Sequence, residues 1–436
     1  MIIMKKYFII IAAAFISFDS IAQDNISPAK TNTGLILIKN ATVHTGTGQV
    51  LENTSILINK DKIERIGTDI PAPTSNVRTY DASGKHVYPG LIMANTNLGL
   101  KEISNQVRGT NDYRELGELN PNVQSIMAYN TDSKIINTFR SNGILIANIV
   151  PEGSLITGSS SVVQLDAWDW EDALYKKDNG IHFNMPSLIS RPNRGGQPRG
   201  DQPDAVKLGM EKIDQVKSFF QQAKAYNMGT KPATTNLKFE AVKKLFDKSQ
   251  RLYIHCNIVK EMLIAIDFVK EFDFDVTIVG GSESFQIAEL LKQNNISVIL
   301  GQLHNLPTLE DDDIDQPFKT PAVLQKAGVL FAITDNDETT TGRNLMFNAG
   351  TASSYGLSKE EALQAITFNA AKILGIADKT GSIEVGKDAN IIISEGDILD
   401  MRSSVVVKAY ILGKDIDLND KHKELNEKYK SKYGIK

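Results

Sequence analysis

The sequence predicts an α/β fold in which eight strands close a barrel and a small β-rich domain is assembled from the two ends of the chain. Three observations point there. Residues 88–380 alternate short apolar runs with amphipathic helical stretches, the pattern of βα units. Eight such runs can be counted, the number that closes a barrel. Alternating, β-branched runs broken by Asn, Gly and Pro fill residues 31–87 and return over 381–416, so one small domain draws on both termini.

Taken in order, Lys5 and Lys6 precede an apolar run from Tyr7 to Phe18, then Ser20-Ile21-Ala22 and a polar Gln23-Asp24-Asn25. Residues 1–22 therefore read as a secretory signal peptide, too short in its apolar part to span a bilayer, and the mature chain is expected to be exported, periplasmic or secreted. The composite β-sandwich domain, 31–87 plus 381–416, begins with "LILIKNATVHTG", "SILINKDKIERIG" and "VRTYDASGK". Within 88–380, strands are expected at 90–95, 143–150, 161–165, 181–185, 252–255, 275–280, 296–301 and 329–334, giving a TIM-type (β/α)8 barrel. Helices are expected at 135–140, 204–226, 239–249, 262–272, 284–294 and 358–374. The last opens with a capping box, Ser358 with Glu361, and stops at Gly375. Residues 417–436 form a charged helical tail. Two segments leave this alternation: the Pro/Gly/Arg-rich loop from Arg191 to Pro203, and the acidic run "EDDDID" at 310–315, read as a solvated loop because it lacks a calcium-loop spacing.

The formal charge of -4 and the absence of a basic patch exclude a nucleic-acid surface, so a small-molecule substrate or ligand is the expected partner. A single cysteine, Cys256, rules out an internal disulfide. Phosphate-binding glycine loops, the G-x-S-x-G elbow and H-E-x-x-H are missing from suitable contexts, which removes nucleotide, serine-esterase and zincin chemistries.

In a barrel of this kind function sits at the C-terminal strand ends, so the residues there are the candidates. Asn95 and Asn97, in "YPGLIMANTNLG", close the first strand two positions apart and are expected to face one side. Their amide oxygens suit hard cations better than zinc, or serve as a hydrogen-bonded polar layer. His255 ends the fifth strand and Asp335 follows the eighth. A carboxylate delivered by a buried strand has to be paired, metal-bound or working as a base. His304, on the seventh loop, and Glu152, after the second strand, are further candidates for substrate binding or support of the site. His182 is read as a core or supporting residue. Cys256, pointing away from His255 by alternation, is read as a buried structural thiol. His44, His86 and His422 belong to the β domain and the tail.

The stretch "KIERIG...DASGKHVYPGLIMANTNLG" and, more specifically, "GLSKEEALQAITFNAAKILGIADKTGSIEVGKDANIII" resemble the amidohydrolase superfamily, in its imidazolonepropionase-like and dihydroorotase-like branch, over nearly the whole mature chain. The resemblance implies a hydrolase acting on non-peptide C–N bonds. It also implies a divalent metal, zinc or another, held by a first-strand His-x-His pair, histidines on strands five and six and an Asp on strand eight. Carried over, His255 matches the fifth-strand ligand, and Asp335 matches the eighth-strand Asp that ligates metal and shuttles the proton. Asn95 and Asn97 stand where the His-x-His pair is expected, Gly280 or Gly281 where the sixth-strand His is expected, and no Lys ends the fourth strand. The alternative is a barrel that binds a ligand, or pairs with itself or an active paralogue, without catalysis.

Overall fold

The computed structural model describes residues 27–71, 77–102, 112–189, 204–229, 234–307, 312–335 and 340–435. The expected leader, the loop from Arg191 to Pro203 and the first two residues of the acidic run fall outside them.

The chain starts with β1 (Leu35–His44), β2 (Val50–Asn59) and β3 (Lys62–Gly67), an antiparallel meander whose register sets Ile36 opposite Ile58 and Ile38 opposite Ile56. Strands β4 (Val77–Asp81) and β5 (His86–Pro89) both pair with β1 in parallel.

The barrel follows as β6 (Leu91–Thr96), β7 (Ile144–Ile149), β8 (Ile156–Gln164), β9 (Leu174–Asn184), β10 (Arg251–Cys256), β11 (Val276–Gly280), β12 (Ser297–Leu300) and β13 (Phe331–Ile333), one eight-stranded sheet in chain order. Its helices are α1 (Lys134–Ser141), α2 (Trp170–Ala173), α3 (Ala205–Met228), α4 (Leu237–Ala241), α5 (Val259–Phe272), α6 (Ala288–Gln293), α7 (Gln316–Ala327), α8 (Leu345–Ser354), α9 (Lys359–Ala365) and α10 (Phe368–Leu374). Among the described residues no ladder joins β13 to β6. Thr334 bridges that seam: the Asn95 backbone N–H donates to Thr334 Oγ1 (3.2 Å), and the same hydroxyl reaches the Asn95 carbonyl (3.1 Å).

Three expectations change. The third strand is not a parallel strand at 161–165. β8 begins at Ile156 and runs antiparallel to both β7 and β9. A parallel connection needs a crossover of about a dozen residues or more, and the linkers 150–155 and 165–173 are shorter than that. The start of β8, "ITGSSS", carries small residues without the β-branched pattern that marks a strand. The helix expected over 358–374 breaks in two. Its capping box, Ser358 with Glu361, and its left-handed stop at Gly375 are both present. The interruption at Ile366 and Thr367 frees the Ile366 carbonyl to accept a hydrogen bond from the Ile92 N–H of β6 (2.9 Å). The expected helices over 239–249 and 284–294 likewise each divide into a short α segment and a 3-10 turn.

Inside the barrel Ile92, Ala94, Ile146, Val162, Tyr253, Val279, Ile299 and Ala332 form one apolar layer, against which α10 packs Ala370, Ile373 and Leu374. The larger core lies between the sheet and its outer helices. There Phe220 of α3 meets Phe268 and Phe272 of α5 and Phe274.

The chain then returns to the first sheet with β14 (Ile391–Ser394), β15 (Val406–Ile411) and β16 (Lys414–Asp415), in the order β16-β15-β14-β5-β1-β2-β3 with β4 on β1. This sheet has its own core, including Ile36, Ile56, Val87, Ile391 and Tyr410. The β15–β16 turn uses Leu412 (φ 50°) and Gly413 (φ 69°), both left-handed as a two-residue hairpin requires. A Cβ at Gly413 would meet the Lys60 carbonyl at 1.9 Å. A buried ionic cluster ties this sheet to the barrel. Asp166, just past β8, accepts from Arg140 of α1 (2.6 Å) and lies 3.1 Å from the Lys414 ammonium of β16. The tail forms α11 (Lys421–Tyr433), capped by Asp420.

Candidate functional site

His255 is the penultimate residue of β10, half-buried at the end where barrel strands carry function. Its Nε2 lies 2.8 Å from Nδ1 of His182 on β9. His182 is buried, as a core role predicts, and stacks on Tyr253 with ring centroids 4.7 Å apart and planes within 10°. Tyr253 is fixed in turn: its hydroxyl donates to the Ile373 carbonyl and accepts from Asn179 (both 3.3 Å). Burial holds the His255 imidazole down to about pKa 4 and that of His182 well below its ordinary value. Both rings are therefore neutral at pH 7. Cys256, the next residue, is buried and unpaired, and burial pushes its thiol up, which suits a structural role.

Asp335 lies two residues beyond β13 and is fully buried. Thr341 Oγ1 donates to one carboxylate oxygen (2.9 Å) and Asn348 Nδ2 approaches the other (3.4 Å). The Asn348 side-chain oxygen accepts from the backbone N–H groups of Leu303 (2.9 Å) and His304 (3.2 Å). One amide on α8 thus joins the seventh loop to the last-strand carboxylate. His304 also lies 2.7 Å from Thr351 Oγ1. Burial lowers its pKa, and the nearby Asp335 charge opposes the shift. Thr341 and Asn348 were not anticipated from sequence. The signal for Asn348 was available, since it falls on the same helical face as the buried Leu345, Ala349 and Ala352.

The first-strand asparagines part company. Asn95 is tied through its backbone to Thr334, whereas Asn97 lies past the end of β6 and its amide donates to Glu152. The β6 register shifts between Met93 and Thr96, so simple alternation does not carry both side chains to one place. Asn148, buried on β7, donates to the Ala94 carbonyl (3.2 Å). The structure therefore gathers the expected residues into three groups: His182 with His255, Asp335 with His304, and Asn97 with Glu152.

These donors do not fit the family's metal centre. Among the described residues no three His, Cys, Asp or Glu side chains converge. The sixth-strand position cannot hold an imidazole as built. Gly280 has φ +100°, and a Cβ there would sit 2.5 Å from Asn257 Oδ1. Catalytic zinc normally takes three protein ligands, and neutral amides are poor ones. Beside this corner, at the ends of β11 and β12, lies a pocket of about 390 Å³ lined by Asn257, Gly280, Gln302, Leu303 and Gln316.

The chain thus combines an eight-stranded α/β barrel, with buried polar side chains at its strand ends, and a sheet made from both termini. The model of the amidohydrolase family matches residues 276–423. A crystal structure of an amidohydrolase from Thermotoga maritima is 27% identical, with a TM-score of 0.75, over 88% of this chain and 99% of that one. The imidazolonepropionase of Thermoplasma volcanium is 24% identical over 395 residues, 84% of this chain and 91% of the relative. That of Shewanella oneidensis is 54% identical over 46 residues, 11% of either chain. Residues 276–423 thus match the amidohydrolase family, and most of the chain is similar to an amidohydrolase of known structure and to an imidazolonepropionase.

Proposed function

We propose that the protein is an exported hydrolase of non-peptide carbon–nitrogen bonds, of cyclic amide, imine or acyl-amine type, working without the family's full set of metal ligands. One observation carries this reading: Asp335 is a wholly buried carboxylate, delivered by the last barrel strand and oriented by Thr341 and Asn348. Side chains held this way are pre-set for proton transfer. In the proposed reaction Asp335 takes a proton from water as its oxygen attacks the carbonyl or imine carbon. The carboxyl group then returns that proton to the departing nitrogen as the C–N bond breaks. The pocket beside Gly280 sets the amides of Asn257, Gln302 and Gln316 among apolar Leu303 and Pro307, a lining that suits a small, hydrogen-bonding ligand, and Asp335 and His255 lie outside its walls. Export rests on residues 1–22 alone.

The test is turnover of a lactam, hydantoin, imidazolone and acyl-amine panel by protein purified without chelators, with metal content measured on the same sample. Hydrolysis lost in Asp335→Asn, with substoichiometric metal, is the expected result. A stoichiometric metal that disappears in both His255→Ala and Asp335→Ala would restore the ordinary metal mechanism. A second reading, a ligand-binding or paralogue-partner barrel, draws on the closed Gly280 corner and the asparagines at 95 and 97. Thermal stabilisation by panel compounds without turnover selects it.

A further inference from the structure

The His182–His255 contact has a direction that the surrounding atoms decide. His182 is buried and stacked on Tyr253, His255 is half-buried beside it, and both rings are neutral, so only one proton lies between His182 Nδ1 and His255 Nε2. If His255 donated it, neutral His182 would carry its other proton on Nε2, which is buried and has no hydrogen-bond partner among the described residues. A buried N–H without an acceptor is the rarer and costlier arrangement, more so than a bare lone pair. The other tautomer avoids it. His182 Nδ1–H donates, His182 Nε2 keeps only a lone pair, and His255 Nε2 accepts. His255 must then carry its own proton on Nδ1, a nitrogen that makes no hydrogen bond to the described protein.

We propose that His182 is a positioning residue that locks His255 in the Nδ1–H tautomer, so the fifth strand offers its ligand a neutral N–H donor and no lone pair for a metal. Such a donor suits a carbonyl oxygen, or the negative charge that develops on one during attack. Tyr253 holds the stack from below, and Gly180 leaves room for it, since a Cβ there would lie 2.1 Å from the Tyr253 ring. The inference rests on the reading of this barrel end as a ligand site, and it stands or falls apart from whether hydrolysis occurs.

Histidine-selective ¹⁵N labelling tests it, because the chain has only six histidines. In the wild-type protein at pH 7, long-range proton–nitrogen correlation is expected to show His182 and His255 both protonated at Nδ1, the minority form of free imidazole. One equivalent of zinc alone is expected to leave the His255 signals in place. In His182→Phe, which keeps the stack on Tyr253 but removes the donor, His255 is expected to revert to Nε2–H. A wild-type His255 protonated at Nε2, a zinc-induced shift of His255, or an unchanged tautomer in folded His182→Phe would each overturn the proposal. If His182→Phe does not fold, the two wild-type measurements decide alone. A chain inactive across the substrate panel but showing Nδ1–H at both rings removes the hydrolase reading and leaves this one intact. The converse result does the reverse.

Discussion

The two halves of the barrel differ in how they are built. From β10 to β13 the strands are parallel neighbours separated by helical segments, and the family match at 276–423 begins here. From β6 to β9 the alternation fails. β8 is reversed, its two linkers are short, and only the four-residue α2 lies between β8 and β9. The regular half seats Asp335 in a frame of helix and loop donors. The irregular half supplies Asn97 and Glu152 from beyond its strand ends. The contrast teaches that the family-model match is confined to the regular half and the returning sheet although the wider likeness spans both halves, and that the departures in ligand type occur in both, at Asn95 and Asn97 in one and Gly280 in the other.

The largest expected effect tests whether the regular half alone carries chemistry. Asp335→Asn keeps the shape and most hydrogen bonds but removes the base. It should lower kcat/KM on the best panel substrate by about 10²–10⁴-fold with the melting temperature nearly unchanged. A comparable loss from Glu152→Gln would instead move the chemistry into the irregular half.

The next asks what holds the irregular half in place. Asp166→Ala leaves Arg140 and Lys414 without their shared carboxylate. Breaking a buried ion pair in this way destabilises by about 3–5 kcal/mol, readable as a shifted urea midpoint. A loss below about 1 kcal/mol would mean that the reversed strand is anchored by packing instead.

The histidine pair lies on β9 and β10, where the two halves meet, and it predicts a pH dependence. With the folded His255 pKa near 4, below an ordinary value of 6.5, the unfolded chain binds the extra proton first between those limits. Stability is therefore full above about pH 6.5 and falls as pH drops towards 4, by up to about 3 kcal/mol from this residue. Urea unfolding at pH 7, 6, 5 and 4.5 should show the decline, and a His182→Phe/His255→Phe double variant should flatten it.

The smallest effect belongs to the regular half. Ser358→Ala removes one arm of the capping box on α9 and should cost about 1 kcal/mol, seen as a lower melting temperature with unaltered activity.

Much of this was legible in the sequence. The barrel, the sheet drawn from both ends, the α9 cap and the positions of His255 and Asp335 at strand ends follow from periodicity and local chemistry, which are local properties. What was not legible depends on contacts far apart in the chain. The reversal of β8 is set by linker length against the crossover requirement. Its start hides in small residues, and the break at Ile366 answers a hydrogen-bond donor on β6. Asn348 could have been found as a polar residue on an apolar helix face, but its partner lies across the site. The His182–His255 contact joins neighbouring strands 73 positions apart in the chain, and no spacing rule reaches it.

The broken helix also bears on how the chain acquires its structure. Besides its ladder with β7, β6 and the glycine before it take hydrogen bonds from very distant sequence: Gly90 donates to the Asn390 carbonyl, Ile92 to that of Ile366, and Asn95 to Thr334. The first barrel strand is therefore among the last to be completed, and contacts of such long sequence separation slow folding. Among the described residues β6 already ends its sheet without a ladder to β13, and a chain truncated ahead of Ile366 would also lose the Ile366 and Asn390 acceptors, leaving an apolar edge more open to other chains. Premature termination here should yield aggregates rather than a smaller soluble barrel.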